Sequence, residues 1–180
     1  MIKLIGLVGR AGSGKTTVAK HLVENHGFVR YAFADPLKEM LVKAGICTYE
    51  ELYVQKTEFS RMMLQKIGTE IFRKQVHPHF WIEKMRQAIE PILLADCGDK
   101  FIIDDIRFPE EAMLVTKLGG ILVKINREDF VDATAGTEHD SERFVDLIAC
   151  DRTITAKSGD IDTLIQGIEK MLGGSKCLTK

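Results

Sequence analysis

Near the start of the chain, Gly9-Arg10-Ala11-Gly12-Ser13-Gly14-Lys15-Thr16 has the spacing G-x-x-x-x-G-K-[ST]. That spacing belongs to a phosphate-binding P-loop. Its glycines let the backbone wrap closely around a polyphosphate with successive N–H groups pointing inward, and a helix N-terminus adds positive potential. Lys15 is expected at the β- and γ-phosphates, and the Thr16 hydroxyl at Mg²⁺. The expected nucleotide-binding set is Gly9, Ala11, Gly12, Ser13, Gly14, Lys15, Thr16 and Thr17. The flanks agree: Ile2 to Val8 reads as a buried strand, and Thr17 to Val23 carries apolar residues at helical spacing. Strand, glycine loop and helix is the context in which the motif has its mechanism.

Phosphoryl transfer further needs Mg²⁺, cations around the migrating group and a held acceptor. The stretch Lys100 to Ile106 (KFIIDDI) reads as a strand ending in two carboxylates, a Walker B element. Strand alternation sends Asp104 and Asp105 to opposite sides, so one of them serves Mg²⁺; a helix-capping pair is the alternative. Arg107 follows on the C-terminal edge of the sheet, where ligands of such folds sit. Arg127 opens, and Arg143 closes, a polar segment that suits a lid, or else a solvated loop. Asp35, at the end of the second predicted strand, is placed to position an acceptor or to cap a helix. Arg61, Gln65, Thr69 and Arg73, with Glu70 beside them, form an i+4 face that could bind an anion or simply meet water. Trp81 and Phe80 could stack on a base or fill a core. His77 and His79 flank a proline and read as structural.

These residues need elements to hold them. Phe28 to Ala34 is predicted as a second strand, followed by a helix Pro36–Ala44 capped by Asp35 and closed by Gly45. Residues 46–59 read as irregular or briefly helical. Ser60 is the expected cap of a helix to about Gln75, with Met63, Ile67 and Ile71 on its apolar stripe. A helix from about Phe80 to Leu94 follows, kinked or cut short at Pro91. Beyond the acidic strand come a helix Pro109–Leu118, a strand Ile121–Ile125 and a polar loop from Asn126 to about His139. A short strand Arg152–Ala156 and a helix opened by Ser158-Gly159-Asp160 and ending at Leu172 complete the pattern. Strands alternating with helices imply an α/β fold, a parallel sheet with helices on both faces.

At 180 residues the chain is expected to be one domain. Its 45% hydrophobic and 28% charged residues are ordinary for a globular enzyme. A formal net charge of -1, with Lys and Arg dispersed, argues against a polymeric nucleic acid or an anionic membrane as partner. The cysteines Cys47, Cys97, Cys150 and Cys177 form no C-x-x-C and read as reduced thiols. With no leader and no transmembrane stretch evident, a cytoplasmic protein with small-molecule partners is expected, and a homodimer is left open.

The stretches GRAGSGKTTVA (9–19), FADPLK (33–38), LQKIGTEIFR (64–73) with Trp81, DIRFPEEA (105–112), GGILVKINR (119–127) and HDSE (139–142) occur in that order. Together they resemble the phage-type deoxynucleoside monophosphate kinases, a branch of the P-loop nucleoside monophosphate kinases. The resemblance covers about 150 of the 180 residues. It implies a five-stranded parallel P-loop kinase fold, an acceptor-binding helical region at about 35–95 and a lid at about 126–145. It implies Mg·ATP as donor and a deoxynucleoside 5′-monophosphate as acceptor. By position, Asp35 and Lys38 would lie beside the acceptor, and Gln65, Glu70, Arg73 and Trp81 would line its pocket. Asp105, rather than Asp104, takes the family's acidic position, and Arg107 that of a phosphate-contacting arginine on donor and acceptor. Lys15, Asp35, Asp105, Arg107 and Arg127 would be the catalytic set, with Thr16 and Asp105 on the metal; Arg127 and His139–Glu142 fall in the lid. Ile154 to Gly159 would face the donor adenine, although the expected asparagine followed closely by glycine is replaced by Thr155-Ala156-Lys157-Ser158-Gly159.

Two rivals remain in view. Phosphomevalonate kinases and dephospho-coenzyme A kinases share the general layout. A GTP-binding switch would fit the size, but Asn126-Arg127-Glu128-Asp129 has Arg where N-K-x-D needs Lys, and D-x-x-G is absent.

Overall fold

The computed structural model describes residues 2–128 and 144–173. Five parallel strands form one sheet: β1 (Leu4–Val8), β2 (Phe28–Tyr31), β3 (Lys100–Ile106), β4 (Ile121–Arg127) and β5 (Arg152–Ala156), in the order β2-β3-β1-β4-β5. All five residues of β1 are buried, as its unbroken apolar run requires of a central parallel strand. Chain order reverses across β1, and the crevice outside its carboxyl end is where such sheets take ligands.

The chain divides into two compact units. The first, residues 1–31 and 92–180, holds the sheet. Helices α1 (Lys15–His26) and α6 (Ile161–Leu172) cover one face of it. Val18, Ala19 and Leu22 of α1 and Leu164 and Ile168 of α6 join Ile5, Leu7, Ile102, Val123 and Ile125 in one core. On the other face α5 (Pro109–Lys117) inserts Val115 against the positions where Gly6 and Gly120 leave room. Glu111, 2% exposed, reaches back to accept hydrogen bonds from the N–H groups of Arg107 and Phe108, so α5 starts where the acidic strand ends.

The second unit, residues 32–91, is helical. It contains α2 (Asp35–Lys43), a π-helical turn (Glu50–Val54), α3 (Glu58–Gln65), an eleven-residue π-helix (Lys66–Val76) and most of α4 (Phe80–Ala95). Its boundaries correct several expectations. β2 stops at Tyr31, because the chain turns at Ala32, whose carbonyl accepts from Asp35 N at 3.2 Å. Asp35 is therefore the first residue of α2, with Ala34 as the cap. Ser60 does not cap α3: the Thr57 side chain accepts from Ser60 N. Ser60 itself is buried, its hydroxyl donating to Glu51 O at 2.8 Å. Ile71 leaves the apolar stripe and is exposed, since i→i+5 bonding shifts the register that an i+4 reading assumes. Pro91 does not end α4; the residue is exposed, so water can satisfy the carbonyl its missing N–H abandons.

In the first unit, β4 runs on to Arg127, so that residue ends a strand instead of opening a loop. Asp160 caps α6 by accepting from Thr163 N at 3.1 Å, and the helix begins one residue later, at Ile161. The described helices include none long and apolar enough to cross a membrane.

Candidate active site

The loop after β1 is built by close approach. A β-carbon at Gly9 would stand 2.5 Å from the Ile125 carbonyl oxygen, so only glycine lets the loop pass under β4. Gly14 (φ +102°) is the left-handed cap of α1, a conformation that L side chains rarely adopt. No acidic residue occupies the first turn of α1, so its N–H groups and dipole keep their positive potential. Lys15 is 8% exposed and folds back into the loop. Its Nζ donates to Gly9 O at 2.5 Å and Arg10 O at 2.7 Å, with Ser13 Oγ at 3.4 Å. Ala11, Gly12 and Thr16 are exposed, and Gly14 and Thr17 are half-buried. Two loop carbonyls and a hydroxyl thus hold one ammonium close to the N-terminus of α1.

Two charged groups flank the loop. A β-carbon on Gly12 would lie 3.7 Å from Arg127 Nη1, so the guanidinium at the end of β4 lies over the loop. On the other side β3 pairs with β1 through Gly6↔Ile103 and Val8↔Ile106, with a bulge between. The bulge falls on Asp104-Asp105, and bulges re-aim side chains. Asp104 is 5% exposed and paired with Arg30 of β2: Nε donates to Oδ2 at 2.9 Å, and Nη2 lies 2.9 Å from Oδ1 as an ion-pair contact without hydrogen-bond geometry. Asp105 is half-buried, one residue before the Ile106 that pairs with Val8. Arg107 follows, half-buried, its backbone held by Glu111.

A further charge cluster joins residues far apart in the sequence. Asp146, in a 3₁₀ turn (Val145–Leu147), accepts from Arg10 Nη2 at 2.8 Å and from Lys124 Nζ at 3.0 Å. These bonds, Arg10 first, hold its carboxyl below the usual range. Arg10 sits inside the P-loop motif as one of its variable residues, and Asp146 lies 136 residues away, so no local spacing could reveal the pair. The proposed adenine-facing turn follows β5: Lys157 and Ser158 are exposed, and Gly159 adopts φ +80° before the Asp160 cap. His139–Glu142 and Arg143 lie outside the described residues.

In the second unit Lys38 is 7% exposed, its Nζ 3.1 Å from Asp35 Oδ1 and 4.7 Å from the centre of the Tyr53 ring. Tyr53 stacks on Tyr49, ring centroids 4.5 Å apart. Gly68, Thr69, Glu70 and Arg73 all fall in the π-helix, a form that recurs at functional sites. Gly68 meets α2 closely: a β-carbon there would stand 2.7 Å from Leu37 Cδ2, which would have to turn aside. Gln65 ends α3 and is exposed, Arg73 is half-buried, and Glu70 pairs with Lys74 at 2.9 Å. Trp81 is 7% exposed, and its indole N–H donates to Gly68 O at 3.0 Å. Phe72 and Phe80 pack on it at 5.1 and 4.8 Å. That geometry makes Trp81 a brace for the π-helix, with no exposed ring face for a base.

A loop with the P-loop spacing at the carboxyl end of a parallel sheet, between strands that carry a carboxylate and an arginine, is the arrangement of a P-loop phosphotransferase. Solved structures agree on the fold. A sugar kinase from Janibacter aligns over 97% of this chain and 96% of its own, at a TM-score of 0.52 and 15% identity. A protein from Chloroflexus aurantiacus assigned as a kinase aligns over 97% and 98%, at a TM-score of 0.51 and 15% identity.

Sequence comparison is more specific. The profile of the deoxynucleotide monophosphate kinase family matches residues 3–60. A protein of Acanthamoeba polyphaga mimivirus assigned as a deoxynucleotide monophosphate kinase is 32% identical over 142 residues, covering 69% of this chain and 74% of that one. The deoxynucleoside-5′-monophosphate kinase of Escherichia phage T5 is 27% identical, covering 64% and 72%. The chain belongs to the deoxynucleotide monophosphate kinase family.

Proposed function

We propose that this kinase moves the γ-phosphoryl group of Mg·ATP to a deoxynucleoside 5′-monophosphate, with the donor held by the first unit and the acceptor by the second. The observation that carries the reading is Lys15, buried in the loop on the carbonyls of Gly9 and Arg10 at the N-terminus of a helix with no acidic residue in its first turn. Lys15, with the N–H groups of Gly9 and of Ala11 to Thr17, takes the donor phosphates. Arg127, over Gly12, and Arg107 stabilise the charge that spreads over the phosphoryl oxygens as it leaves.

Mg²⁺ fits the residues present. Thr16 is an exposed hydroxyl in the first turn of α1, and Asp105 is a half-buried carboxylate on the strand paired with β1. Both are hard oxygen donors of the kind this ion prefers. When bound, the ion neutralises the developing phosphate charge. Asp104 is buried on Arg30, and Asp105 takes the family's acidic position, so Asp105 is the residue assigned to the ion.

The acceptor falls to the Asp35–Lys38 pair and to Gln65, Glu70 and Arg73, with Trp81 holding their helix in place. Lys38 and Arg73 supply cations for a 5′-phosphate; Gln65 and Glu70 supply directional donors and acceptors for sugar or base. The test is a split in steady-state constants. Arg73→Ala and Asp35→Asn should raise the KM for the deoxynucleotide about tenfold or more and leave that for ATP within about twofold. If both KM values rose together, the division of labour would be wrong.

A further inference from the structure

At the end of α1 remote from the phosphate loop, three side chains outside the kinase machinery converge. His21 and His26 lie five residues apart on α1, and Glu169 belongs to α6. Both imidazole Nε2 atoms lie 2.6 Å from the same oxygen, Glu169 Oε1. The rings are 5.6 Å apart, and one ligand atom from each of the three residues falls within 4.8 Å of the other two. With side chains 19%, 25% and 29% exposed, the cluster is partly shielded yet open to solvent.

We propose that His21 Nε2, His26 Nε2 and a Glu169 carboxylate oxygen form a binding site for a divalent cation of the Zn²⁺ class, with water completing a tetrahedron. Two imidazoles and one carboxylate are a donor set that such borderline cations favour and that Mg²⁺ does not. Metal–ligand bonds of about 2.0–2.2 Å put neighbouring ligand atoms of a tetrahedron about 3.3 Å apart. Each Nε2···Oε1 distance must therefore open by about 0.7 Å, within the reach of small rotations in half-exposed side chains. Binding displaces the Nε2 protons, so each imidazole coordinates in its neutral form with the remaining proton on Nδ1. Asn25 Nδ2 lies 3.1 Å from His21 Nδ1 and also donates to the His21 carbonyl oxygen at 3.0 Å, so the His21 ring must turn away from Asn25 as its proton moves to Nδ1.

The bound cation would pin α6 to α1. Leu164 of α6 also closes on Gly14, where a β-carbon would meet its Cδ1 at 2.5 Å. The site thus braces the helix packed behind the phosphate loop and takes no part in transfer.

The experiment is calorimetric titration of chelator-treated protein with ZnCl₂ in excess Mg²⁺, which fills oxygen-only sites. One Zn²⁺ per chain is expected. His21→Ala and Glu169→Gln should each weaken binding about 100-fold or more. Turnover with Mg·ATP should stay unchanged in both variants. If His21→Ala fails to fold, as judged by circular dichroism, His26→Gln takes its place. In the wild type, Co²⁺ should give visible ligand-field bands without a near-ultraviolet thiolate band. Undiminished Zn²⁺ binding in the folded variants, a thiolate band, or no binding to the wild type at micromolar Zn²⁺ would overturn the proposal.

Discussion

At the end of β3, two carboxylates one residue apart meet different surroundings. Asp104 is buried on the Arg30 guanidinium, whereas Asp105 stands half-buried beside the strand that feeds the phosphate loop. Substitution should separate structure from chemistry. Asp104→Asn removes the buried charge that pairs with Arg30 and should cost about 1–3 kcal/mol in denaturant melts, discounted for the exposure of Arg30. For Asp105→Asn the decisive readout is activity. Its effect should fall on turnover, by about 100-fold or more, with a raised Mg²⁺ requirement. The reverse pattern would exchange the two assignments. Arg107→Ala should reduce kcat about 100-fold while ATP affinity changes by less than about fivefold, because its charge matters most as the phosphoryl group leaves. Intact turnover would remove Arg107 from the site.

Elements explain why some of this could be read in advance. The P-loop, β3 and α5 are local: motif, apolar run and cap lie within a few residues, and each forms where its spacing predicts. The π-helix could not be read this way. Its residues have ordinary helix propensity, and the extra residue per turn is set by packing, with Gly68 against Leu37 and Trp81 on the Gly68 carbonyl. An i+4 reading therefore aligned Arg61, Gln65, Thr69 and Arg73 on a regular helix that the chain does not form past Gln65. The Arg10–Asp146–Lys124 cluster was illegible for another reason, being joined only by the fold.

That cluster predicts a pH dependence. In the folded protein the Asp146 carboxyl titrates below its usual range, mainly through Arg10 and then Lys124. Its contribution is therefore present above about pH 4, the ordinary carboxylate value, and is lost as pH falls through the folded-state value. The side chain is 51% exposed, so the contribution is small. Asp146→Asn should lower stability at pH 7 by up to about 1 kcal/mol, with the difference from wild type closing as pH drops below about 4. A gap independent of pH would show that packing, and not charge, holds the turn.

At the scale of the whole molecule, the proposed roles sort by unit. Every residue assigned to the donor lies in the first unit, and every one assigned to the acceptor alone lies in the second. Family membership makes the acceptor a nucleotide, whereas the base it carries depends on a few side chains whose shape no motif encodes. The most direct test is the rate of ADP formation from Mg·ATP across the four common deoxynucleoside monophosphates, their ribose counterparts, phosphomevalonate and dephospho-coenzyme A. Rapid turnover with one or more deoxynucleoside monophosphates, abolished by Lys15→Ala, is the predicted result. Turnover confined to phosphomevalonate or dephospho-coenzyme A, or none with any acceptor while ATP still binds, would contradict it.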